Sequence, residues 1–130
     1  MKRLLWTLLI LSQPDGLLSQ PADGVGDSPP YRSPVGLVAS RDGERLYVTC
    51  EESNALIVVD LASGQVKHEI PVGQGPYWVV EGADGRRLYV SNRRGKTVSV
   101  IDVETFRVLR TVEVGHEPCG LAFNRDGTIL

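Results

Sequence analysis

The chain has 130 residues, 42% of them hydrophobic and 23% charged, with a formal net charge of −2. That near-neutral balance excludes a nucleic-acid binder or a polybasic membrane-surface protein, which carry clustered positive charge. Fourteen Gly and eight Pro favour many short elements joined by tight turns, and with two Trp, four Tyr and two Phe any core must rest mainly on Val, Leu and Ile.

The chain opens on Met1-Lys2-Arg3, a positive start, followed by the mostly apolar run Leu4 to Leu11. A membrane-spanning helix needs about 20 apolar residues, so this run is too short to span and suits the core of a signal peptide. Residues 1–19 are therefore expected to be a signal peptide, with Leu17-Leu18-Ser19 as the best cleavage site. Export to the periplasm or the extracellular space follows, with no membrane span after signal removal. No Cys follows the apolar run to carry a lipoprotein anchor. Residues 20–33, rich in Pro, Gly, Asp and Ser and without periodicity, are expected to be a flexible leader.

From residue 34 the chain repeats itself with a step of 42. Pro34, Pro76 and Pro118 keep that step, as do Asp42-Gly43, Asp84-Gly85 and Asp126-Gly127, and Leu46, Leu88 and Leu130. Laying 34–75 on 76–117 without a gap gives 13 identities in 42 positions, at turn residues and alternating apolar positions. This is an internal duplication, with 118–130 as the start of a third copy. Each copy predicts four short strands. In the first they are Val35–Ser40, Arg45–Thr49, Leu56–Asp60 and Val66–Val72, separated by the Asp42-Gly43 turn, the loop 50–55 and the turn around Ala62-Ser63-Gly64. In the second they are Tyr77–Glu81, Arg87–Ser91, Thr97–Asp102 and Arg107–Val114. No stretch of the repeats carries a helical period long enough for a helix. The fold class predicted is all-β, with blades of four antiparallel strands forming an incomplete β-propeller.

The run Asp84-Gly-Arg-Arg-Leu-Tyr-Val-Ser-Asn92 followed by Thr97-Val-Ser-Val-Ile-Asp102 resembles the YVTN β-propeller repeat, and the resemblance covers residues 34–130. Cys50 departs from the Asn that usually ends the second strand, and Asn92 keeps it. Trp78 stands where the other copies have Gly36 and Gly120. The resemblance implies a secreted propeller. Similar propellers are joined to c-type cytochrome or haem-peroxidase domains, or resemble haem-binding nitrite reductases and sugar lactonases. Propellers need four to eight blades, so the chain is expected to be a fragment or the start of a longer protein. Its partners are then the remaining blades of the same chain or a self-associating copy.

With the first strand innermost, the second-to-third loops and the connections between blades share one rim of the disc, the usual ligand face. That rim carries Glu51-Glu52, Arg93, Arg94 and Lys96, with Tyr77, Trp78 and His116 near its centre. These six, Tyr77, Trp78, Arg93, Arg94, Lys96 and His116, are the candidate ligand-rim residues. The charged loops read as solvated surface, as an anion site, or as a pair across the blade boundary. Tyr77-Trp78 reads as packing between inner strands or as an aromatic platform for a sugar, peptide or planar cofactor. His68 and His116 fall at different repeat positions and form no repeated metal motif. No Cys-x-x-Cys-His, His-Glu-x-x-His, calcium loop or Gly-x-Ser-x-Gly occurs, and Gly73-Gln-Gly75 is followed by Pro76 and not by a helix. No catalytic residue, cofactor ligand or metal ligand is assigned, and haem is expected only if a longer protein carries it. Cys50 and Cys119, a whole blade apart, read as semi-buried free thiols. The function that fits is a non-catalytic binding or scaffold module for an unknown protein or small-molecule ligand. The alternatives are the propeller portion of a larger periplasmic redox enzyme and a surface-layer structural protein.

Overall fold

The computed structural model describes residues 32–128; the expected signal peptide and residues 20–31 of the leader lie outside them. Eight strands follow in order: β1 (Pro34–Ala39), β2 (Arg45–Cys50), β3 (Ala55–Asp60), β4 (Val66–Pro71), β5 (Pro76–Glu81), β6 (Arg87–Asn92), β7 (Thr97–Asp102) and β8 (Val108–Glu113). They form two antiparallel meanders, β1-β2-β3-β4 and β5-β6-β7-β8, hereafter blades one and two. All eight strands fall within two residues of the bounds that the repeat predicts. Among the described residues there is no helix.

The turns explain why the repeat is kept so strictly. Every described residue with positive φ falls into one of four repeat positions. Gly43, Gly85 and Gly127 close the Asp-Gly turns; Gly64 and Phe106 close the third-to-fourth-strand turns; Asn54 and Lys96 end the second-to-third loops; Ser33, Gly75 and Glu117 precede the inner strands. Left-handed backbone is disfavoured for side-chain-bearing residues, so these positions define where the chain reverses. The turns after β3 and β7 are also locked by their aspartates. Asp60 Oδ1 accepts the Ser63 N–H at 2.7 Å and the Ser63 hydroxyl at 2.9 Å. Asp102 Oδ2 does the same for Thr105, at 2.8 and 2.7 Å.

Alternation along the strands gives each blade two apolar faces. Tyr47, Leu56, Val58 and Ile70 of blade one meet Val79, Leu88, Val90 and Ile101 of blade two in a single buried cluster. Fully burying one such side chain is worth about 1.5–3 kcal/mol, so this contact is the main source of cohesion between the blades. Among the described residues the outward faces are only partly covered. Leu37 is 66% exposed while its repeat partner Val79 is 2% exposed, and Val112 is 40% exposed while its partner Ile70 is 4% exposed.

The third copy differs from expectation. Residues 118–124 form no strand, because in the repeat register the partners that β2 and β6 supply fall at 129 and beyond. The segment instead lies against blade two, with Phe123 edge-on to Tyr89 at 5.2 Å.

The capping turns carry a pH dependence with a definite sign. Hydrogen bonds from Ser63 and Thr105 lower the carboxyls of Asp60 and Asp102 below their ordinary value, and those from Ser40 and Glu44 lower Asp42. A depressed folded-state value stabilises the fold above the unfolded pKa, with that contribution lost as pH falls through the folded one. Stability is therefore expected to be level at neutral pH and to drop below about pH 4. Urea titrations of the wild type and of Asp60→Asn/Asp102→Asn check this, and the double variant should show the shallower acid decline.

Candidate functional site

The rim is built where β1 and β5 meet their neighbours. Both inner strands begin with an irregular register, between Pro34 and Gly36 and between Pro76 and Trp78. Side-chain hydroxyls serve the backbone there. Thr49 Oγ1 accepts the Gly36 N–H at 2.9 Å, and its hydroxyl reaches the Tyr77 carbonyl of the next blade at 3.0 Å. One repeat later Ser91 Oγ accepts the Trp78 N–H at 3.1 Å and donates to the Cys119 carbonyl at 3.1 Å. Both hydroxyl residues are fully buried. The same bond thus ties blade one to blade two and blade two to the 118–124 segment.

The connections are stitched to one another above this level. The Asn54 side chain accepts the Gly75 N–H at 2.8 Å, and the Arg93 and Gly95 N–H groups donate to the Gly75 and Gln74 carbonyls at 2.8 and 2.9 Å. This brings the two charged loops together. Arg94 Nη2 lies 2.8 Å from Glu52 Oε1 and 3.4 Å from Glu51 Oε1, and Arg93 Nη2 lies 3.3 Å from Glu51 Oε1. Glu51/Arg93 and Glu52/Arg94 are repeat-equivalent positions with opposite charge, so the loops clasp across the blade boundary. Glu52 raises the Arg94 guanidinium above its ordinary value through this hydrogen bond and its charge.

Of the six candidate rim residues, contacts bring together three, Tyr77, Arg93 and Arg94. The Arg93 guanidinium lies 5.2 Å from the centroid of Tyr77, a cation–π distance. Arg94 joins Arg93 on the acidic loop, and Trp78 follows Tyr77 on β5 with 43% of its surface exposed. Lys96 is exposed in the left-handed position that ends its loop. His116 is exposed in the connection after β8, and no hydrogen bond, ion pair or ring contact among the described residues links it to Tyr77 or Trp78. Trp78 is exposed in this structure and not packed between inner strands. Among the described residues no group of three or more His, Cys, Asp or Glu could hold a metal ion.

The two thiols are free, but neither is semi-buried. Cys50 is buried among Ala55 and Ile57 on blade one, where desolvation raises its pKa, and Cys119 is exposed. Cys119 lies on the 118–124 segment, which pairs with no strand among the described residues. Two features went unread in the sequence. The Thr49/Ser91 hydroxyl bridge leaves only a Thr/Ser alternation as its trace. The other is on the opposite rim, where Phe106 stacks on His68 with centroids 4.3 Å apart and Arg45 sits 5.5 Å from the same ring. Its signal was a Phe at the repeat position of Gly64.

Two four-stranded antiparallel meanders, repeated at 42 residues and stacked face to face, define blades of a β-propeller-type repeat protein. Solved structures agree. Hydrazine synthase from Kuenenia stuttgartiensis is similar at 27% identity and a TM-score of 0.73, over 81% of this chain and 30% of that one. Virginiamycin B lyase from Staphylococcus aureus is similar at 16% identity and a TM-score of 0.63, over 74% and 33%. The WD40 repeats of RRP9 are similar at 21% identity and a TM-score of 0.57, over 65% and 26%. The chain thus spans about a third or less of the length of these structures. No family model matches it, and no curated protein does.

The close approach of the inner strands makes position 36 testable. A Cβ on Gly36 would stand 2.5 Å from the Tyr77 carbonyl oxygen and 2.9 Å from Thr49 Oγ1, whereas one on the equivalent Gly120 meets nothing within 4 Å. Gly36→Ala is expected to destabilise by about 1–3 kcal/mol, and Gly120→Ala to leave the urea midpoint where it was.

Proposed function

We propose that the chain is a YVTN-type β-propeller module, exported from the cell, that binds a protein or small-molecule ligand on the clasped rim and performs no chemistry of its own. The observation that carries this reading is the exposed Trp78 beside Tyr77, whose ring is held under Arg93. A large exposed aromatic next to an ordered one is a platform for a sugar ring, a peptide side chain or a planar group. Arg93 and Arg94 are engaged with Glu51 and Glu52, so recognition rests on the aromatic pair, with Lys96 and His116 as the further candidates. The open apolar faces are closed by further blades of the same chain or by a second copy.

A second reading has one observation in its favour. The similarity to the Kuenenia hydrazine synthase, at 27% identity over 81% of this chain, suits a propeller that belongs to a larger periplasmic redox enzyme. Haem would then be supplied by a segment outside these residues. Sequencing the gene beyond the codon for Leu130 separates the two. Further repeats alone favour the binding module, and a downstream Cys-x-x-Cys-His favours the redox enzyme.

The platform is checked with the labelled full chain on glycan and peptide arrays. Trp78→Ala is expected to abolish the wild-type signals while keeping the urea midpoint. Signals that survive the substitution, or unfolding of the variant with no ligand found for the wild type, would sink the platform reading.

A further inference from the structure

Three departures from the repeat meet at one place on the opposite rim. The first lies in β4, where Val58 pairs with His68 and Val59 with Val66, leaving Lys67 as the extra residue of a bulge. β8 has the same bulge at Leu109, so the irregularity belongs to the repeat and the lysine to blade one alone. A bulge re-aims the side chain of its extra residue. The second departure is His68, where blade two has Arg110. The third is Phe106, whose φ of 53° occupies the position that Gly64 fills in blade one. A bulky residue takes left-handed backbone only at a cost, which marks the position as one where the side chain is wanted.

The Phe106 ring reaches back from blade two to stack on His68, with Arg45 beside it. These groups enclose a cavity of about 290 Å³ lined by Arg45, Val58, Asp60, Lys67, His68 and Phe106. Its polar lining is dominated by donors. The single carboxylate, Asp60, has Oδ1 occupied by the Ser63 amide and hydroxyl. Every close ion pair among the described residues involves Arg32, Arg93 or Arg94; Lys67 acts on Asp60, and Arg45 on Asp42, only through charge at longer range. Two cations and an imidazole against one carboxylate leave an excess of donors around a small recess, which matches an anion, since charge-assisted hydrogen bonds are the strong ones.

We propose that this cavity binds a small phosphate- or carboxylate-bearing anion through Arg45, Lys67 and His68. Phe106 forms its wall and ties the site to the junction of the two blades. The site is independent of the aromatic rim and lies at the other end of the strands.

The test uses the full chain, titrated at constant ionic strength with inorganic phosphate in one arm and citrate in the other. Binding is read from the imidazole NMR signals. The expected result is a saturable shift of His68, with His116 unmoved, in at least one arm; which arm responds tells phosphate from carboxylate chemistry. Lys67→Gln should weaken that binding about tenfold and Lys67→Arg should retain it, both with an unchanged far-UV spectrum. Absence of a saturable His68 shift in both arms overturns the proposal. Binding untouched by Lys67→Gln, or lost equally in Lys67→Arg, overturns it as well.

Discussion

The buried hydroxyl at the end of each second strand sets the distance between neighbouring inner strands, and most of the rim geometry follows from that distance. An irregular register at the start of β1 and β5 leaves a backbone N–H to be served from the side, and Thr49 or Ser91 accepts it while donating to the carbonyl of the following segment. A hydroxyl is suited to this because it can donate and accept at once. The bond to the next segment is 3.0 Å long in one repeat and 3.1 Å in the other, so the spacing is a constant of the repeat. At that spacing Gly36 has no room for a side chain. Trp78 carries a side chain at the same repeat position, with 43% of its surface exposed, so the close approach at Gly36 belongs to the seam between blades one and two and is not a requirement of the repeat.

Cohesion comes from elsewhere. The clasp of Glu51, Glu52, Arg93 and Arg94 is partly or largely exposed, and exposed pairs contribute about 0–1 kcal/mol. It orients the loops and discourages a wrong register more than it holds the blades. The apolar cluster between them does the holding, and the same residues explain why a blade is incomplete alone. Val79 is buried because blade one covers it; Leu37, at the same repeat position with no blade before it among the described residues, is exposed. Among the described residues each blade has one face satisfied by its neighbour and one only partly covered, the pattern expected of a repeat stabilised by nearest-neighbour contacts.

The parts legible in the sequence are those that local chemistry decides. Asp-Gly steps fix turns, the Tyr47-Val48 and Tyr89-Val90 alternation fixes which residues face a neighbour, and the strict step of 42 carries both into a stack. The charged loops were visible as an opposed pair, but their contact across the boundary depends on how two blades sit together, which no local pattern states. The hydroxyl bridge was hidden for a different reason. Thr and Ser are ordinary strand residues, and nothing in their identity announces a bond to a carbonyl 28 positions further on. Cys119 was misjudged because its burial requires a second strand, and the register puts that strand past the described residues.

Departures from the repeat were the more informative signal, because a repeat supplies its own control. Where blade two has Trp78 for Gly36 or Phe106 for Gly64, the backbone requirement is unchanged and only the side chain differs, so the substitution calls for a reason beyond the fold. The two departures lead to opposite rims. Trp78 points to a face where Arg93 and Arg94 are bound to carboxylates. Phe106 points to a recess whose cations outnumber its one carboxylate and whose aromatic ring is already covered by His68 and Arg45. The same framework therefore presents an exposed aromatic at one end of its strands and a donor-lined recess at the other, and the difference arises from a handful of residues at positions where the backbone is the same.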